Sequence, residues 1–249
     1  MREGDSVLEG RNVVLEALRQ DKPIDRLFIK EGKVDAPLQT VIREAKKRNI
    51  SVEFVKKCRL DQISETGKHQ GVVAYGAAAE YVSVEDILQI AVEKGEPPFL
   101  FLLDGITDPH NLGAIIRTAN LSGAHGVIIR KHKAVGLTPT VAKASAGALA
   151  YIPIAKVTNL SQTMDNLQKR GIWFVCADAG GDRMYDLDLT GSIGLVIGDE
   201  GKGVSDLVRR HCDMTAAIPM FGNIDSLNVS VAAGVLAYEI VRQRMGKVM

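Results

Sequence analysis

Two stretches in the last quarter of the chain combine glycines with polar side chains, which suits a ligand-binding site. Residues 198–203 read Gly-Asp-Glu-Gly-Lys-Gly, and residues 218–228 include Ser226 and Asn228. Glycine lets the backbone bend tightly and approach a ligand where a Cβ would prevent it. Each stretch follows an apolar run and precedes a helical pattern. Both should therefore lie beyond the carboxyl ends of strands, where open α/β sheets bind ligands.

A third stretch, residues 104–117, also joins a predicted strand to a predicted helix. Asp108-Pro109 within it is typical of a turn. Asn111 either caps the helix that follows or serves a ligand. Arg117, two helical turns further on, either extends into solvent or presents a fixed cation to a phosphate.

Common nucleotide-binding and metal-binding patterns do not fit these stretches. Residues 198–203 lack the spacing of a Walker A motif, and no strand ends in G-x-G-x-x-G. A nicotinamide-dependent dehydrogenase is therefore disfavoured. The five histidines and three cysteines show no ligand spacing, so we predict no metal site.

From residue 99 onward the pattern alternates between strand and helix. The predicted strands are 99–103, 126–129, 151–155, 172–177, 193–197 and 214–218, and the predicted helices are 111–122, 139–148, 160–170, 204–211 and 227–244. This alternation predicts an α/β fold with a mainly parallel sheet and helices on both faces. Pro219 ends the last strand, and Ser226 is the predicted N-cap of the last helix.

Residues 1–76 form a second, smaller α/β unit in the prediction. Its predicted helices are 10–20, 37–49 and 60–64, and its predicted strands are 26–29, 52–55 and 71–75. Residues 46–48, with Lys56, Lys57 and Arg59, are basic, which fits either a solvated face or a phosphate-contacting patch. Residues 77–98 carry acids and end in Pro-Pro, which is typical of a linker, with one helix at 84–94. We therefore place the larger domain at 99–249.

Composition narrows the class of protein. The chain has 249 residues, of which 46% are hydrophobic and 24% charged, as in ordinary globular proteins. We expect neither a membrane span nor a signal peptide, because no apolar run is long enough and the start lacks an apolar segment. An odd number of cysteines then predicts free thiols in a reducing cytoplasm. A net charge of +1 does not by itself argue for nucleic acid.

Taken in order, residues 108–117, 197–203 and 218–230 closely resemble the motifs of the SpoU, or TrmH-like, RNA 2′-O-ribose methyltransferases of the SPOUT superfamily. The resemblance covers residues 97–249. Residues 9–18 resemble the start of that family's accessory domain, which has an RNA-binding, ribosomal-protein-like fold. Chain length and this domain are similar to the subfamily that methylates a guanosine of 23S ribosomal RNA.

The resemblance implies a deep trefoil knot near the C-terminus, an exception to the rule that chains do not thread loops. It also implies that S-adenosylmethionine binds in the knot, mainly through backbone, at Gly198, Ile218, Met220 and Leu227. Family members are homodimers whose active sites form near the knot interface. The small residues 232–234 fit either knot packing or that interface.

The same resemblance implies five catalytic residues, which are Asn111, Arg117, Glu200, Ser226 and Asn228. A guanidinium has a pKa above ~12 and is a poor general base. Our hypothesis is that Arg117 grips a phosphate and stabilises the developing alkoxide. Asn111, Ser226 and Asn228 would orient the ribose and loops, and Glu200 would position Arg117 or the substrate. The alternatives are a transfer RNA methyltransferase and a non-catalytic RNA-binding or ribosome-assembly factor.

Overall fold

The computed structural model of the protein describes residues 7–48, 50–224 and 226–246. The chain forms two compact units. One extends to Glu80 and includes Gly136–Val141, and the other comprises Tyr81–Val135 and the chain from Ala142 onward.

The first unit contains a four-stranded sheet and three helices. Its elements are the strands β1 (Val7–Glu9), β2 (Ile24–Lys30), β3 (Ser51–Val55) and β4 (Val72–Gly76), and the helices α1 (Arg11–Arg19), α2 (Ala36–Lys47) and α3 (Lys57–Ile63). The strand order is β1-β4-β2-β3, with β2 and β3 parallel and the other neighbours antiparallel. The sequence prediction misses β1, because three residues are too few to show an alternating pattern.

Helix α2 shows why this unit folds locally as predicted. The carboxylate of Asp35 accepts a hydrogen bond from the backbone N–H of Leu38 at 3.2 Å, and Pro37 occupies the first turn, where its missing N–H costs nothing. Leu38, Val41 and Ala45 then recur at helical spacing and are buried. The predicted end of this helix, Asn49, lies outside the described residues.

The second unit is built on a six-stranded sheet in which every neighbouring pair is parallel. Its strands are β5 (Phe99–Asp104), β6 (Gly126–Arg130), β7 (Ile154–Val157), β8 (Trp173–Arg183), β9 (Ile193–Gly198) and β10 (Met214–Ala217). They lie in the order β10-β8-β9-β5-β6-β7. All six residues of β5 and of β9 are buried, which explains their uninterrupted apolar sequences. The predicted α/β class with a parallel sheet is confirmed, and the knot stays a prediction.

The described residues after Glu80 form six further α-helices. They are α4 (Val84–Lys94), α5 (Pro109–Leu121), α6 (Pro139–Ala144), α7 (Leu160–Gln168), α8 (Asp206–Arg209) and α9 (Val229–Gly246). Helix α6 begins in the segment that belongs to the first unit. Two predicted boundaries near α6 are wrong. The helix predicted to reach residue 148 ends at Ala144, and β7 begins at Ile154 rather than 151. The helix cannot continue because the backbone is left-handed at Ala146 (φ 49°) and at Gly147 (φ 89°), after which a 3₁₀ turn follows.

Helix α4 is part of the second unit rather than of a separate linker. Its Ile87 and Leu88 lie in the same buried cluster as Leu100 and Ile128 of the sheet. The contact is close enough that a Cβ at Gly126 would lie 2.6 Å from Cγ2 of Ile87. Residues 81–98, predicted to be a linker, therefore belong to the second unit. The prediction was wrong because the acidic composition of this segment outweighed its buried apolar residues.

The last turn of α9 is fastened to the start of β5. The guanidinium of Arg244 donates hydrogen bonds to the carbonyl oxygens of Pro97 (3.2 Å), Pro98 (3.0 Å) and Gly191 (2.7 Å). The same group lies 5.1 Å from the ring centroid of Phe99, as in a cation–π contact. Helix α9 thus contacts the segments that precede β5 and β9, at the edge of the sheet where these strands begin.

Candidate active site

Two loops and one helix start meet at the carboxyl edge of this sheet. We call residues 198–203, which follow β9, the glycine loop, and residues 218–227, which follow β10, the apolar loop. The helix start is the first turn of α5, which follows β5. Because parallel strands all end at the same edge, stretches far apart in sequence come together here.

The glycine loop is closed by its own backbone. The N–H of Asp199 donates to the carbonyl of Gly203 at 3.0 Å, and the N–H of Gly203 donates back at 2.8 Å. The Asp199 carboxylate also accepts from the N–H of Gly201 at 3.0 Å. A Cβ at Gly198 would lie 2.0 Å from the carbonyl carbon of Gly203, so only glycine allows the two ends of the loop to touch.

A buried aspartate anchors the end of the glycine loop. Asp104, at the end of β5, is 3% exposed. One of its carboxylate oxygens accepts from Arg130 at 2.6 Å, and the other accepts from the backbone N–H and hydroxyl of Ser205 at 2.9 and 2.5 Å. Sequence reasoning missed this set, because Ser205 is 101 residues from Asp104. The sequence feature that could have indicated it is Asp104 itself, a carboxylate that ends an otherwise apolar strand.

The apolar loop, in contrast, leaves large side chains in solvent. Phe221 is 98% exposed and Ile224 is 78% exposed. Met220 and Leu227 are more than one-third exposed. Asp225, within the same loop, lies outside the described residues.

A cavity of about 190 Å³ lies between the two loops. All four residues predicted to bind the cofactor line it, namely Gly198, Ile218, Met220 and Leu227, and so do the predicted catalytic residues Glu200 and Ser226. The rest of the wall includes residues that the sequence did not assign to the cofactor, which are Ala177, Asp178, Ala179, Val229, Ala232 and Leu236. Most of this lining is apolar side chain or bare backbone, so the cavity suits a ligand with a large uncharged part.

An amide side chain joins the glycine loop to α5 and α9. The Nδ2 group of Asn228 donates to Oδ1 of Asn111 at 3.0 Å and to Oε1 of Glu200 at 2.6 Å. Its Oδ1 accepts from the N–H of Ser230 at 2.9 Å. Three of the five predicted catalytic residues are thus in direct contact, although residues 111 and 228 are 117 positions apart.

Two predicted helix caps are corrected by this geometry. Ser226 does not cap α9, since the helix begins at Val229 and Asn228 accepts from the N–H of Ser230. Ser226 instead lines the cavity. Likewise, Asn111 does not cap α5, because Asp108 accepts from the N–H of His110 at 2.9 Å and Asn111 lies inside the helix, 7% exposed. The buried Asn111 side chain therefore accepts a hydrogen bond from Asn228 instead of capping the helix.

Arg117 is exposed on α5, six residues after Asn111. Among residues 7–48, 50–224 and 226–246 its side chain has no hydrogen bond or ion pair, and Glu200 contacts Asn228 rather than Arg117. Of the two roles predicted for Glu200, positioning of Arg117 is therefore not seen. The Arg117 guanidinium remains open to a ligand.

The small residues of α9 divide between the cavity and an internal helix contact. Ala232 lines the cavity, and Ala233 is fully buried. A Cβ at Gly234 would lie 3.8 Å from Cγ2 of Thr118, next to Arg117 on α5. The choice between knot packing and a dimer interface for these residues stays a prediction.

Groups behind the cavity wall are paired. Asp178 forms an ion pair with Arg209 of α8. Cys176 and Cys212 share one buried cluster, and a hydrogen bond with Cys176, together with burial, raises the pKa of Cys212. Within the described ranges, no group of three or more His, Cys, Asp or Glu side chains could hold a metal ion. In the same ranges, no helix has the length and apolar character needed to cross a membrane.

Comparison with known families gives two matches that together span most of the chain. Residues 98–238 match the SpoU rRNA methylase family. Residues 7–82 match the RNA 2′-O ribose methyltransferase substrate-binding family.

Similar proteins are known in several bacteria. The chain is 48% identical over 236 residues to the TrmH-family protein YacO of Bacillus subtilis. That alignment covers 94% of each chain. It is 46% identical over 228 residues to the 23S rRNA (guanosine-2′-O-)-methyltransferase RlmB of Neisseria meningitidis, covering 91% of this chain and 90% of that one. The crystal structure of the SpoU methyltransferase AviRb from Streptomyces viridochromogenes, in complex with AdoMet, superimposes with a TM-score of 0.61 at 29% identity. That alignment covers 98% of this chain and 92% of AviRb.

Proposed function

Since this chain belongs to the SpoU, or TrmH-like, family of RNA 2′-O-ribose methyltransferases, we propose that it methylates a guanosine 2′-hydroxyl in 23S ribosomal RNA. The RNA methyltransferase class follows from the family. The finer substrate is supported by the relative RlmB, which aligns over nine-tenths of the chain. The observation that carries the proposal is the contact of Asn111, Glu200 and Asn228 beside the cavity.

The methyl donor of the family is S-adenosylmethionine, and the cavity fits it. A Cβ at Gly198 would collide with Gly203, so bare backbone faces the cavity there. Ile218, Met220 and Leu227 would hold the apolar part of the cofactor, and the backbone of the two loops would hold its polar groups. When bound, the cofactor supplies an electrophilic methyl group on a sulfonium sulfur.

The role that we assign to Arg117 is electrostatic. Its exposed guanidinium can bind the phosphate next to the target ribose and stabilise the negative charge that develops on the 2′-oxygen. Arginine remains protonated in proteins, so it does not remove the proton itself. In the proposed reaction the 2′-oxygen forms a bond to the methyl carbon as the carbon–sulfur bond breaks, and the hydroxyl proton leaves to water.

Asn111, Asn228 and Glu200 would position the ribose. Asn228 fixes one carboxylate oxygen of Glu200, which leaves the other, free of contacts with described residues, to accept a hydrogen bond from a sugar hydroxyl. Ser226 lies at the cavity lining and would orient the ribose from the apolar loop.

The proposal includes a homodimer in the cytoplasm and the knot implied by the family. Support for the dimer comes from an apolar surface on the paired helices α5 and α9. Val231 and Tyr238, seven residues apart on α9, are 49% and 52% exposed, and Leu121 at the end of α5 is 63% exposed. Light scattering of the purified protein tests this part, and a monomer at micromolar concentration would contradict it.

The decisive experiment is methyl transfer from radiolabelled S-adenosylmethionine to unmodified 23S ribosomal RNA and to transfer RNA, with ribose analysis of the product. We expect label on a 2′-oxygen of 23S ribosomal RNA. The Arg117→Ala variant should lose more than about 100-fold in rate, as when one transition-state donor is removed. Arg210→Ala, which removes another exposed arginine of the same unit, is the matched control.

The other outcomes have distinct meanings. Label only on transfer RNA would keep the mechanism and overturn the substrate. Cofactor binding without transfer to either RNA would favour a precursor particle or a binding factor. A pH–rate profile of Arg117→Lys tests the electrostatic role, because full activity with a strongly lowered kinetic pKa would instead indicate a true base.

A further inference from the structure

Two groups of basic side chains in the first unit differ in their partners, and the cations of the first group are paired with carboxylates. Near the end of α2, Lys47 and Arg48 both bond to Glu44, at 3.1 and 2.9 Å, and Arg48 also bonds to Asp21 at 2.9 Å. Arg43 lies 3.7 Å from Glu44. Two carboxylates thus offset most of the charge of these three cations, whereas the exposed Lys46 beside them has no bonded partner among the described residues.

The second group lies at the carboxyl ends of the parallel strands β2 and β3. It consists of Lys30, Lys33, Lys56, Lys57 and Arg59, all of which are exposed. The two strand ends are adjacent, because Lys30 pairs with Val55 in register and the N–H of Glu31 donates to the carbonyl of Val55 at 2.8 Å. None of the five side chains has an ion pair or hydrogen bond to another residue in the described part of the chain.

Acidic residues near this second group do not cancel its charge. Glu53 of β3 is bonded to Arg26 at 3.0 Å, and Asp61 of α3 is bonded to His69 at 2.9 Å. Glu31 and Asp61 are the acids left near the five cations, because a neutral imidazole at His69 does not offset the charge of Asp61. The local balance is therefore strongly positive, although the whole chain carries only +1.

An aromatic side chain stands beside these cations. Phe54 is the penultimate residue of β3 and is 49% exposed, whereas Val52 and Val55 of the same strand pack against the two cores of the unit. β3 is an edge strand with β2 as its neighbour. A ring that is half open to solvent at a strand edge is free to stack on a planar group.

We propose that Lys30, Lys33, Phe54, Lys56, Lys57 and Arg59, which we call the basic edge, bind an unpaired segment of the RNA substrate. The cations would contact successive phosphates, and Phe54 would stack on one base. This combination is how proteins hold single-stranded nucleic acid. A duplex would offer the phosphates but not the face of a base, so Phe54 specifies the unpaired form. The inference rests on the proposed function in taking RNA as the substrate.

Charge removal tests the phosphate contacts. The probe is a fluorescent 12-nucleotide single-stranded RNA, titrated with the full-length protein between about 0.05 and 0.3 M salt, where phosphate contacts dominate affinity. The triple variant Lys56→Gln, Lys57→Gln, Arg59→Gln should lose affinity by about 100-fold near 0.1 M salt and lower the salt slope by about 2. The matched control Arg43→Gln, Lys47→Gln, Arg48→Gln removes the same charge from the first group and should change affinity by less than about fivefold. Equal losses in both variants would overturn the proposal.

Phe54→Leu tests the stacking contact, because leucine keeps an apolar side chain but has no ring face. We expect about a tenfold loss of affinity for the single strand and no change for a blunt duplex of the same sequence. The control Trp173→Leu removes an exposed ring from the other unit and should leave both affinities unchanged. Unchanged single-strand binding by Phe54→Leu, in protein of unaltered circular dichroism, would exclude stacking.

Methyl transfer separates this inference from the function on which it rests. With 23S ribosomal RNA, the triple variant should raise KM for RNA by at least tenfold and leave kcat and the affinity for S-adenosylmethionine unchanged. If the wild type transfers no methyl group, the proposed function fails, and the oligonucleotide titrations still decide whether the basic edge binds RNA. If KM is unchanged, the surface does not hold the substrate.

Discussion

The glycine loop and the apolar loop form opposite walls of one cavity but are held in opposite ways. The glycine loop is closed by reciprocal hydrogen bonds between Asp199 and Gly203, and its end is anchored to Asp104 through Ser205. The apolar loop carries Phe221 at 98% exposure and Ile224 at 78%. The glycine loop is therefore held by contacts within the protein, whereas the apolar loop exposes apolar surface that a ligand or partner can cover.

This difference has a functional meaning. A prebuilt wall binds without a further loss of backbone entropy, so we expect the glycine loop to contribute mainly affinity. Because the apolar loop exposes large apolar side chains beside the cavity, we expect it to link cofactor binding to the binding of a partner. Asn228 connects them, because it follows the apolar loop and bonds to Glu200 of the glycine loop.

The largest effect is expected where the glycine loop closes on itself. Gly198→Ala places a Cβ 2.0 Å from the carbonyl carbon of Gly203, and neither backbone can yield without opening the loop. The strain of about 3 kcal/mol corresponds to a loss of roughly 100-fold in affinity for S-adenosylmethionine, measured by calorimetry. Gly201→Ala is the control, since the nearest atom to its Cβ is 3.6 Å away. Equal losses in both variants would refute the closure argument.

A slightly smaller effect is expected at the anchor of the same loop. Asp104→Ala leaves Arg130 and Ser205 without their shared acceptor, which should cost about 2–3 kcal/mol of unfolding free energy in urea titrations. Ser205→Ala removes only the hydroxyl hydrogen bond and should cost about 1 kcal/mol. If the two variants are equally stable, the carboxylate is not the anchor.

Acid should destabilise the second unit as a whole, because its target, His125, holds the start of the central strand β5. Burial lowers the pKa of His125, outweighing the opposing effect of Glu96. Nδ1 of His125 accepts from the N–H of Phe99 at 3.0 Å, a bond that protonation removes. The folded state thus resists protonation while the unfolded chain accepts a proton near pH ~6.5, so stability falls as pH drops below that value, by up to about 1.4 kcal/mol per pH unit.

The measurement for this prediction is the unfolding free energy between pH 5 and pH 8. His125→Gln cannot protonate in this range and should flatten the part of the curve below pH ~6.5. A wild-type curve with the same acid slope as the variant would show that His125 does not contribute.

Substitutions of Asn228 can remove its hydrogen bonds to Asn111 and Glu200 while keeping or losing its cap on α9. Asn228→Asp keeps the acceptor for the N–H of Ser230 but replaces the donor to Asn111 and Glu200 with a carboxylate. Asn228→Ala loses both functions. The alanine variant loses the cap and the aspartate variant sets a second carboxylate against Glu200, so the free energy of unfolding should fall by about 1 kcal/mol in each, and both should lose methyl transfer. An active aspartate variant would show that the connection is dispensable.

The smallest effect is expected in the apolar loop. Phe221→Ser removes a ring that is 98% exposed, so the unfolding free energy of the free protein should stay within about 0.5 kcal/mol of the wild type. The effect should appear in the dimer dissociation constant or the affinity for RNA. A drop of more than about 1 kcal/mol in the free protein would mean that the ring is packed in solution.

The sequence patterns predicted the strands of the parallel sheet and several residues that line the cavity. They did not predict the hydrogen bonds between those residues. The apolar runs of β5 and β9 identify buried parallel strands, because burial on both faces removes any alternation. The motifs also placed Gly198, Ile218, Met220 and Leu227, which line one cavity. Their assignment to the cofactor stays a prediction, as do the roles of the catalytic residues.

What the sequence could not supply is pairing across long separations. Ser226 fits the preferences of a helix cap as well as Asn228 does, and only the observed start of α9 decides between them. The ion pair of Asp104 with Arg130 and the contact of Asn111 with Asn228 depend on strand order, which local patterns do not encode. The short strand β1 is defined by its partner β4 rather than by its own residues.

The attachment of α9 by Arg244 has a consequence for protein synthesis. This helix supplies Val229, Ala232 and Leu236 to the cavity wall, and its last turn holds the start of β5 through Pro97 and Pro98. A chain emerges from the ribosome amino end first, so the first unit can fold while the catalytic unit still lacks one wall and its closing contact. The protein therefore gains its cavity only after α9 has left the ribosome. The order in which the elements emerge would in this way delay methyl transfer until the last wall of the cavity is in place.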